Sequence, residues 1–173
     1  MQQGSWPLGG VDPTSTRTEM TWIVMPSQAN ALGTVFGGQI MAWIDVCAAV
    51  SAQRLSRTNV VTVGMDELTF KAPIKQGYIV VLQSMVNQVG RTSMEVGVRV
   101  EAEDPRTGIR THTSSAYLTF VGVDDAGERI VLPPMTPRTD EHRRRWLEGE
   151  ARRAARLQSR VQGSHGPAPR GTP

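Results

Sequence analysis

Residues 37–56 read GGQIMAWIDVCAAVSAQRLS, and this stretch decides the fold. It contains no proline, is rich in alanine, and carries apolar side chains on nearly every face of a helix. A helix apolar all round is one the rest of the chain encloses, rather than one lying on a surface. Its β-branched residues Ile40, Ile44, Val46 and Val50 are modestly unfavourable for helix, so burial has to favour it. The flanking text is β in character. Residues 18–25, TEMTWIVM, alternate as a first strand closed by Pro26, and a long turn-rich loop, PSQANALGTVFGG, leads into the helix. Beyond the helix come β-rich runs at 59–71 and 78–89. A plainly alternating run follows at 93–104, with Met94, Val96, Val98 and Val100 on one side and Glu95, Arg99 and Glu101 on the other. The last run is 111–123. The turns at 104–108 and 124–127 are short, which favours antiparallel neighbours. The pattern predicts an α+β domain in which an antiparallel sheet wraps around one central helix.

The chain of 173 residues has a formal charge of +3, and the distribution of that charge is uneven. Residues 1–137 carry 10 basic and 12 acidic side chains, whereas residues 138–173 carry 9 and 4. The main body is therefore slightly acidic and the basic character belongs to the tail. Four segments follow: a flexible, Gly- and Pro-rich N-terminal arm at 1–17, the domain at 18–135, a basic C-terminal helix at 136–162, and a disordered tail at 163–173. The helical tail, with Thr139 or Asp140 as cap and Glu and Arg interleaved, reads as an exposed, solvated helix. A nucleic-acid partner is disfavoured, since it rests on the tail arginines alone. Cys47 is the single cysteine, so no intrachain disulfide forms. No secretory signal and no apolar run of roughly 18–20 residues is visible, so a cytoplasmic protein without a membrane span is expected.

Asp45 stands out chemically. It lies mid-helix among apolar residues, where a buried carboxylate needs partners or a shifted pKa. Helical stepping places Gly38, Ala42, Ala49 and Ala52 on its stripe, leaving room beside it for a packing element or for a substrate. Gly37 and Gly38 at the helix start offer free N–H groups to an anion or a polarised carbonyl, or simply form a tight loop exit. Asn30, read alone, is a turn residue. Gly90-Arg91-Thr92-Ser93 is a tight turn that suits a phosphate, or a plain hairpin. Cys47 reads as a small core residue. No P-loop, dinucleotide fingerprint or zinc spacing is present, and His112, His142 and His165 are far apart, so no metal site is expected.

The ordered segments NALGTVFGGQIMAWIDVCAAVSAQRLS, VTVGMDELTFKAPIKQGYIVVL, VGRTSMEV and SSAYLTFVGVD together resemble the hotdog-fold acyl-CoA thioesterases, nearest the YciA-like and brain-type acyl-CoA hydrolase branch. The resemblance spans roughly residues 18–135. It implies an acyl-CoA substrate, no cofactor beyond the coenzyme A of that substrate, and a homodimer joined sheet edge to sheet edge, with a hexamer as trimer of dimers the larger assembly. It also implies that Asp45 and Asn30, contributed by opposite subunits, are the catalytic pair. Asp45 would act as general base on water or attack the thioester itself, and Asn30 would orient water or carbonyl. Gly38, with Gly37 beside it, would stabilise the oxyanion. Arg91, Thr92 and Ser93 would contact coenzyme A, pantetheine would run near Thr62 and Gly64, and Lys71 is a further phosphate candidate. A non-catalytic acyl-CoA-binding protein of the same fold is the rival expectation. A dehydratase of this fold is disfavoured because no histidine precedes His112.

Overall fold

The structure, a computed structural model, describes residues 9–163. The expectations for residues 1–8 and 164–173 lie outside the described residues. Five strands form one antiparallel sheet: β1 (Thr18–Ile23), β2 (Asn59–Phe70), β3 (Ile79–Val89), β4 (Ser93–Glu103) and β5 (Arg110–Val123). Their order is β1-β3-β4-β5-β2, which leaves β1 and β2 as the two edges. The helix α1 (Gly37–Ser56) lies in the concave face and packs against all five strands. The boundaries of these five strands and of α1 lie within two residues of the sequence expectation.

The core is what the alternation of β4 demands. Met94, Val96, Val98 and Val100 are buried on the inner face, against Ile40, Ile44, Ala48 and Leu55 of α1 and Leu82, Leu118 and Phe120 of the neighbouring strands. Trp43 of α1 stacks on Trp22 of β1 at 6.0 Å between ring centroids. A buried run of small polar groups threads this core: Ser84 donates to the Cys47 carbonyl at 2.8 Å, Ser51 and Ser84 hydroxyls meet at 2.7 Å, and Ser51 donates to Thr18 at 3.0 Å. Each group has a partner, so burial carries no unsatisfied-donor cost there.

Two sequence expectations are corrected. Residues 9–17 are not loose. Val11 bridges to Met135, Asp12 caps a turn at Pro13–Thr16 by accepting from the Thr14 amide at 2.8 Å, and buried Thr16 accepts from the Val86 amide at 3.0 Å. Backbone pairing with a segment 120 residues away is invisible to local composition.

The second correction concerns the basic helix, α2 (Asp140–Gly163), which begins with Thr139 accepting from the His142 amide at 3.1 Å. It is not solvated all round. One side docks on the outer face of the sheet, and the outward-pointing Glu95 of β4 is consequently only 1% exposed. Arg152 meets Glu95 with two hydrogen bonds, at 3.0 and 2.6 Å, and stacks on Tyr117 at 3.6 Å from the ring centroid. Gly149, mid-helix, allows the close approach: a Cβ there would sit 2.8 Å from Cβ of Gln88 and 3.1 Å from the Glu95 carboxylate. On α1, Ala52 at the far end of the Asp45 stripe is fully buried, so there the packing alternative holds; the segment Pro13–Thr16 also packs against this helix.

The Glu95–Arg152 contact generates a stability prediction. Removing one partner of a buried ion pair strands the other charge, which costs about 3–5 kcal/mol. Arg152→Ala should cost about 3 kcal/mol in urea unfolding, the low end of that range, because Arg156 remains 3.6 Å from Glu95. The double variant Glu95→Met with Arg152→Met should recover most of that loss. Equal instability of single and double variants would count against the pair as the anchor of α2.

Candidate active site

One face of α1 is not enclosed within the protomer. Met41 (44% exposed) and Val46 (50% exposed) lie on it, with Phe36 before the helix and Phe70 of edge strand β2 also exposed, whereas Val61 and Val63 of β2 point to the opposite, outer face of the sheet. Apolar side chains in such number on a single open face mark a surface built for a partner or an apolar ligand. Asp45 stands in this face and is half-buried rather than enclosed, which corrects the expectation of a fully buried carboxylate. Its Oδ1 accepts a hydrogen bond of 2.7 Å from the Thr62 hydroxyl of β2. β2 is irregular at this point, with register shifts between Thr62 and Gly64 and again between Met65 and Glu67. Bulges of this kind re-aim side chains beside functional sites. Thr62 therefore holds the carboxylate, a role in addition to the pantetheine contact expected near it.

Gly37 and Gly38 open α1 after Phe36, which supplies no side-chain cap. Gln39 and Ile40 donate to the Phe36 carbonyl, at 3.0 and 3.2 Å, so the helix is closed from Gln39 onward. Among the described residues the Gly37 and Gly38 amides have no backbone acceptor. Both glycines are exposed, and a Cβ at Gly38 would meet nothing within 4 Å. These amides face open space at the positive end of the helix dipole. Gly38 precedes Asp45 by two turns on the same face, a rise of about 10 Å along the axis.

Asn30 is an Asx-turn residue, as its local sequence suggests. Its Oδ1 accepts from the Leu32 and Thr34 amides at 2.9 and 3.2 Å, and its Nδ2 reaches the Thr34 hydroxyl at 3.0 Å. An amide nitrogen has two hydrogens, so one donor is left over. Among the described residues Asn30 makes no hydrogen bond to Asp45 of its own chain.

The residues expected to contact coenzyme A separate into two groups. Gly64, Thr92 and Ser93 line one groove of about 270 Å³, together with Arg129, Arg153 and Arg156. Arg91 is exposed beside it and not in its wall, its carbonyl accepting from the Leu132 amide at 2.9 Å. Lys71 follows the far end of β2, about 23 Å along the strand from Gly64, so one protomer does not bring it to this groove. The three arginines escaped the sequence reading. The concentration of positive charge after Pro137 was the only signal that could have found two of them.

The thioesterase superfamily domain matches residues 32–109. The uncharacterized acyl-CoA thioester hydrolase YkhA of Bacillus subtilis is 42% identical over 118 residues, 68% of this chain and 69% of that protein. A solved apo-hexameric acyl-CoA thioesterase shares 37% identity at a TM-score of 0.82, covering 86% of this chain and 97% of the other. Acyl-CoA hydrolase from Staphylococcus aureus, solved with butyryl coenzyme A, coenzyme A and coenzyme A disulfide, shares 31% identity at a TM-score of 0.78, over 89% and 96% of the two chains. Structures of that enzyme with a single asparagine, aspartate or threonine replaced by alanine are also known. The chain belongs to the hotdog-fold thioesterase superfamily. It spans about a quarter of the length of mouse acyl-coenzyme A thioesterase 11, to which it is 38% identical over 149 residues.

Cys47 plays no part in the open face. It is fully buried, its Sγ 3.3 Å from the Ser84 hydroxyl, and burial pushes its thiol pKa up. Thiolate is the reactive form. The folded protein should therefore leave an aromatic disulfide reagent unreacted near neutral pH, and yield one equivalent of thiol only in denaturant. Rapid stoichiometric labelling of the native chain would contradict the placement of Cys47 in the core.

Proposed function

We propose that this chain hydrolyses acyl-CoA thioesters to a carboxylic acid and coenzyme A, working as a homodimer at least, with Asp45 as the reacting acid. The observation that carries this is the Asp45 carboxylate, held at 2.7 Å by Thr62, standing in an apolar face open to a ligand. Relatives named for acyl-CoA thioester hydrolysis support it. So does the spacing in the staphylococcal enzyme: its substituted asparagine, aspartate and threonine are separated along that chain as Asn30, Asp45 and Thr62 are along this one.

The reaction needs a base, an oxyanion site and an orienting group within a few ångströms of one carbonyl. A single protomer separates them, since about 10 Å of helix lies between the Gly38 amide and Asp45. A second copy docked on the open face would bring its own Asn30 and glycine loop to Asp45. Its apolar contacts would enclose Met41, Val46 and Phe70, and edge strands β2 would pair. The hexameric state named for one neighbour supports assembly beyond a monomer, and a trimer of such dimers would be the larger form here.

In the dimer, Asp45 takes a proton from a water molecule, whose oxygen attacks the thioester carbonyl carbon. The oxyanion forms at the Gly38 and Gly37 amides and Asn30 orients water or carbonyl. Collapse of the tetrahedral intermediate breaks the C–S bond, and the departing coenzyme A thiolate recovers the proton. Direct attack by the carboxylate would give an anhydride that water then opens to the same products. A cytoplasmic setting goes with this reading, because acyl-CoA is an intracellular metabolite.

A positioned general base contributes roughly 10²–10⁴-fold. Asp45→Asn should keep the fold by circular dichroism and lose turnover of a short-chain acyl-CoA by that factor in a thiol-release assay. Thr62→Val should lower kcat about tenfold with KM little changed, because one hydrogen bond to a charged group is removed, and Thr62→Ser should restore it. Normal turnover by Asp45→Asn would rule out the mechanism. Binding of acyl-CoA by the wild type without thiol release would establish the non-catalytic alternative.

A further inference from the structure

The Asn30 side chain is oriented by its own loop, and that orientation decides what it can do. Residues 28–36 fold back as a narrow loop. The Asn30 amide donates to the Thr34 carbonyl at 2.8 Å, the Phe36 amide to the Gln28 carbonyl at 3.2 Å, and Ala29 bridges to Val35. Gly33 supplies the left-handed conformation (φ +70°) that reverses the chain. The returning limb is tied to the segment before β3. The Val35 amide donates to the Ile74 carbonyl and the Gln76 amide to the Gly33 carbonyl, both at 2.9 Å, and Thr34 bridges to Lys75. Backbone bonds therefore fix Thr34 in place independently of its hydroxyl.

The two ends of the Asn30 carboxamide are not interchangeable. Oδ1 faces the Leu32 and Thr34 amides, 2.9 and 3.2 Å away. Turning the carboxamide over would set its NH2 against two N–H donors, with no acceptor between them. Both lone pairs of Oδ1 are thus spent inside the loop. The Thr34 hydroxyl lies 3.0 Å from Nδ2 and accepts one of its hydrogens, and it also stands 3.2 Å from Oδ1. The two hydrogens of an amide share one plane, so engaging one sets the direction of the other. Asn30 is half-buried, and all it has left to offer is that one N–H.

A donor acts differently on the two reactants. On the attacking water it would hold a lone pair and oppose attack. On the thioester oxygen it strengthens as the water oxygen bonds to carbon and negative charge collects there. It relaxes as the C–S bond breaks and the carbonyl re-forms.

We propose that Thr34 is a positioning residue for catalysis, holding Asn30 so that its free N–H donates to the thioester oxygen rather than to the water. The proposal deepens the hydrolase reading and rests on it for the reaction. The dimeric site then divides by charge: one copy supplies the base, Asp45, and the other supplies donors, Asn30 together with the Gly38 and Gly37 amides.

The experiment has two readouts on the full chain. The first is steady-state thiol release by Asn30→Ala, Thr34→Val, Thr34→Ser and the double variant of Asn30→Ala with Thr34→Val. Loss of an oxyanion donor costs roughly 10²–10³-fold in kcat, which is the loss expected of Asn30→Ala with KM little changed. Thr34→Val removes one hydrogen bond and keeps the backbone bonds of the loop, so kcat should fall about tenfold. Thr34→Ser should restore it, and the double variant should be no slower than Asn30→Ala alone. The second readout is the infrared carbonyl band of an isotope-labelled acyl-CoA bound to Asp45→Asn, which should turn over too slowly to consume it. Adding Asn30→Ala should move the band to higher wavenumber, and adding Thr34→Val should move it part of the way. Thermal midpoints control for folding. A band unmoved by Asn30→Ala, or losses that multiply in the double variant, would overturn the proposal. An Asn30-dependent band without thiol release by the wild type would instead sink the hydrolase reading and leave the donor role of Asn30 standing.

Discussion

The apolar helix α1 needs a wall on more sides than a single five-stranded sheet provides. The concave face of the sheet covers Ile40, Trp43, Ile44, Cys47, Ala48 and Leu55. It leaves Met41 and Val46 in the open, with Phe36 and Phe70 exposed near the head of the helix. At about 25 cal/mol per Å² of apolar surface removed from water, such a face is a standing driving force for association. Everything chemical about the protein is arranged on that unfinished side: the carboxylate of Asp45, the glycine amides at the head of the helix, and the Asn30 loop just before it.

A helix that serves as both core and site imposes conditions on its neighbours. Asp45 can be tolerated mid-helix because its face is open, and because Thr62 on a bulged edge strand satisfies one oxygen. The glycines at the helix start leave the first amides without side-chain crowding, where a cap residue would have consumed a donor. On the other side of the sheet the logic reverses. There the polar face of β4 is covered, and the carboxylate of Glu95 is matched by Arg152 of α2 instead of by water. The two faces of the same sheet thus carry opposite solutions to a half-polar surface: one waits for a partner, the other is closed within the chain.

Much of the fold was legible because periodicity is local. The strict alternation of Met94 to Val100, the run of apolar residues from Ile40 to Leu55, and the turn residues at 104–108 and 124–127 each report on their own neighbours. Asp45 was legible for the same reason, as a lone carboxylate in an apolar helix. The illegible features all depend on contacts far apart in sequence. Val11 pairs with Met135, Arg152 with Glu95, and Arg153 with the backbone at Gly90. An interleaved Glu/Arg helix has the same composition whether solvated or docked, so nothing within α2 announces that one side is buried.

The amino-acid sequence by itself determined the element order, the central helix, the inner faces of the strands and the residues capable of chemistry. Hydrophobic period and turn chemistry act over a few residues and need no knowledge of the rest. Tertiary structure alone decided which of those residues meet. It put Thr62 rather than a packing element against Asp45, set Gly38 about 10 Å from that carboxylate, and carried the charge of the tail to the turn at Gly90. Each of these outcomes is fixed by strand register and by the direction in which a helix lies across a sheet, and both are properties of long-range packing.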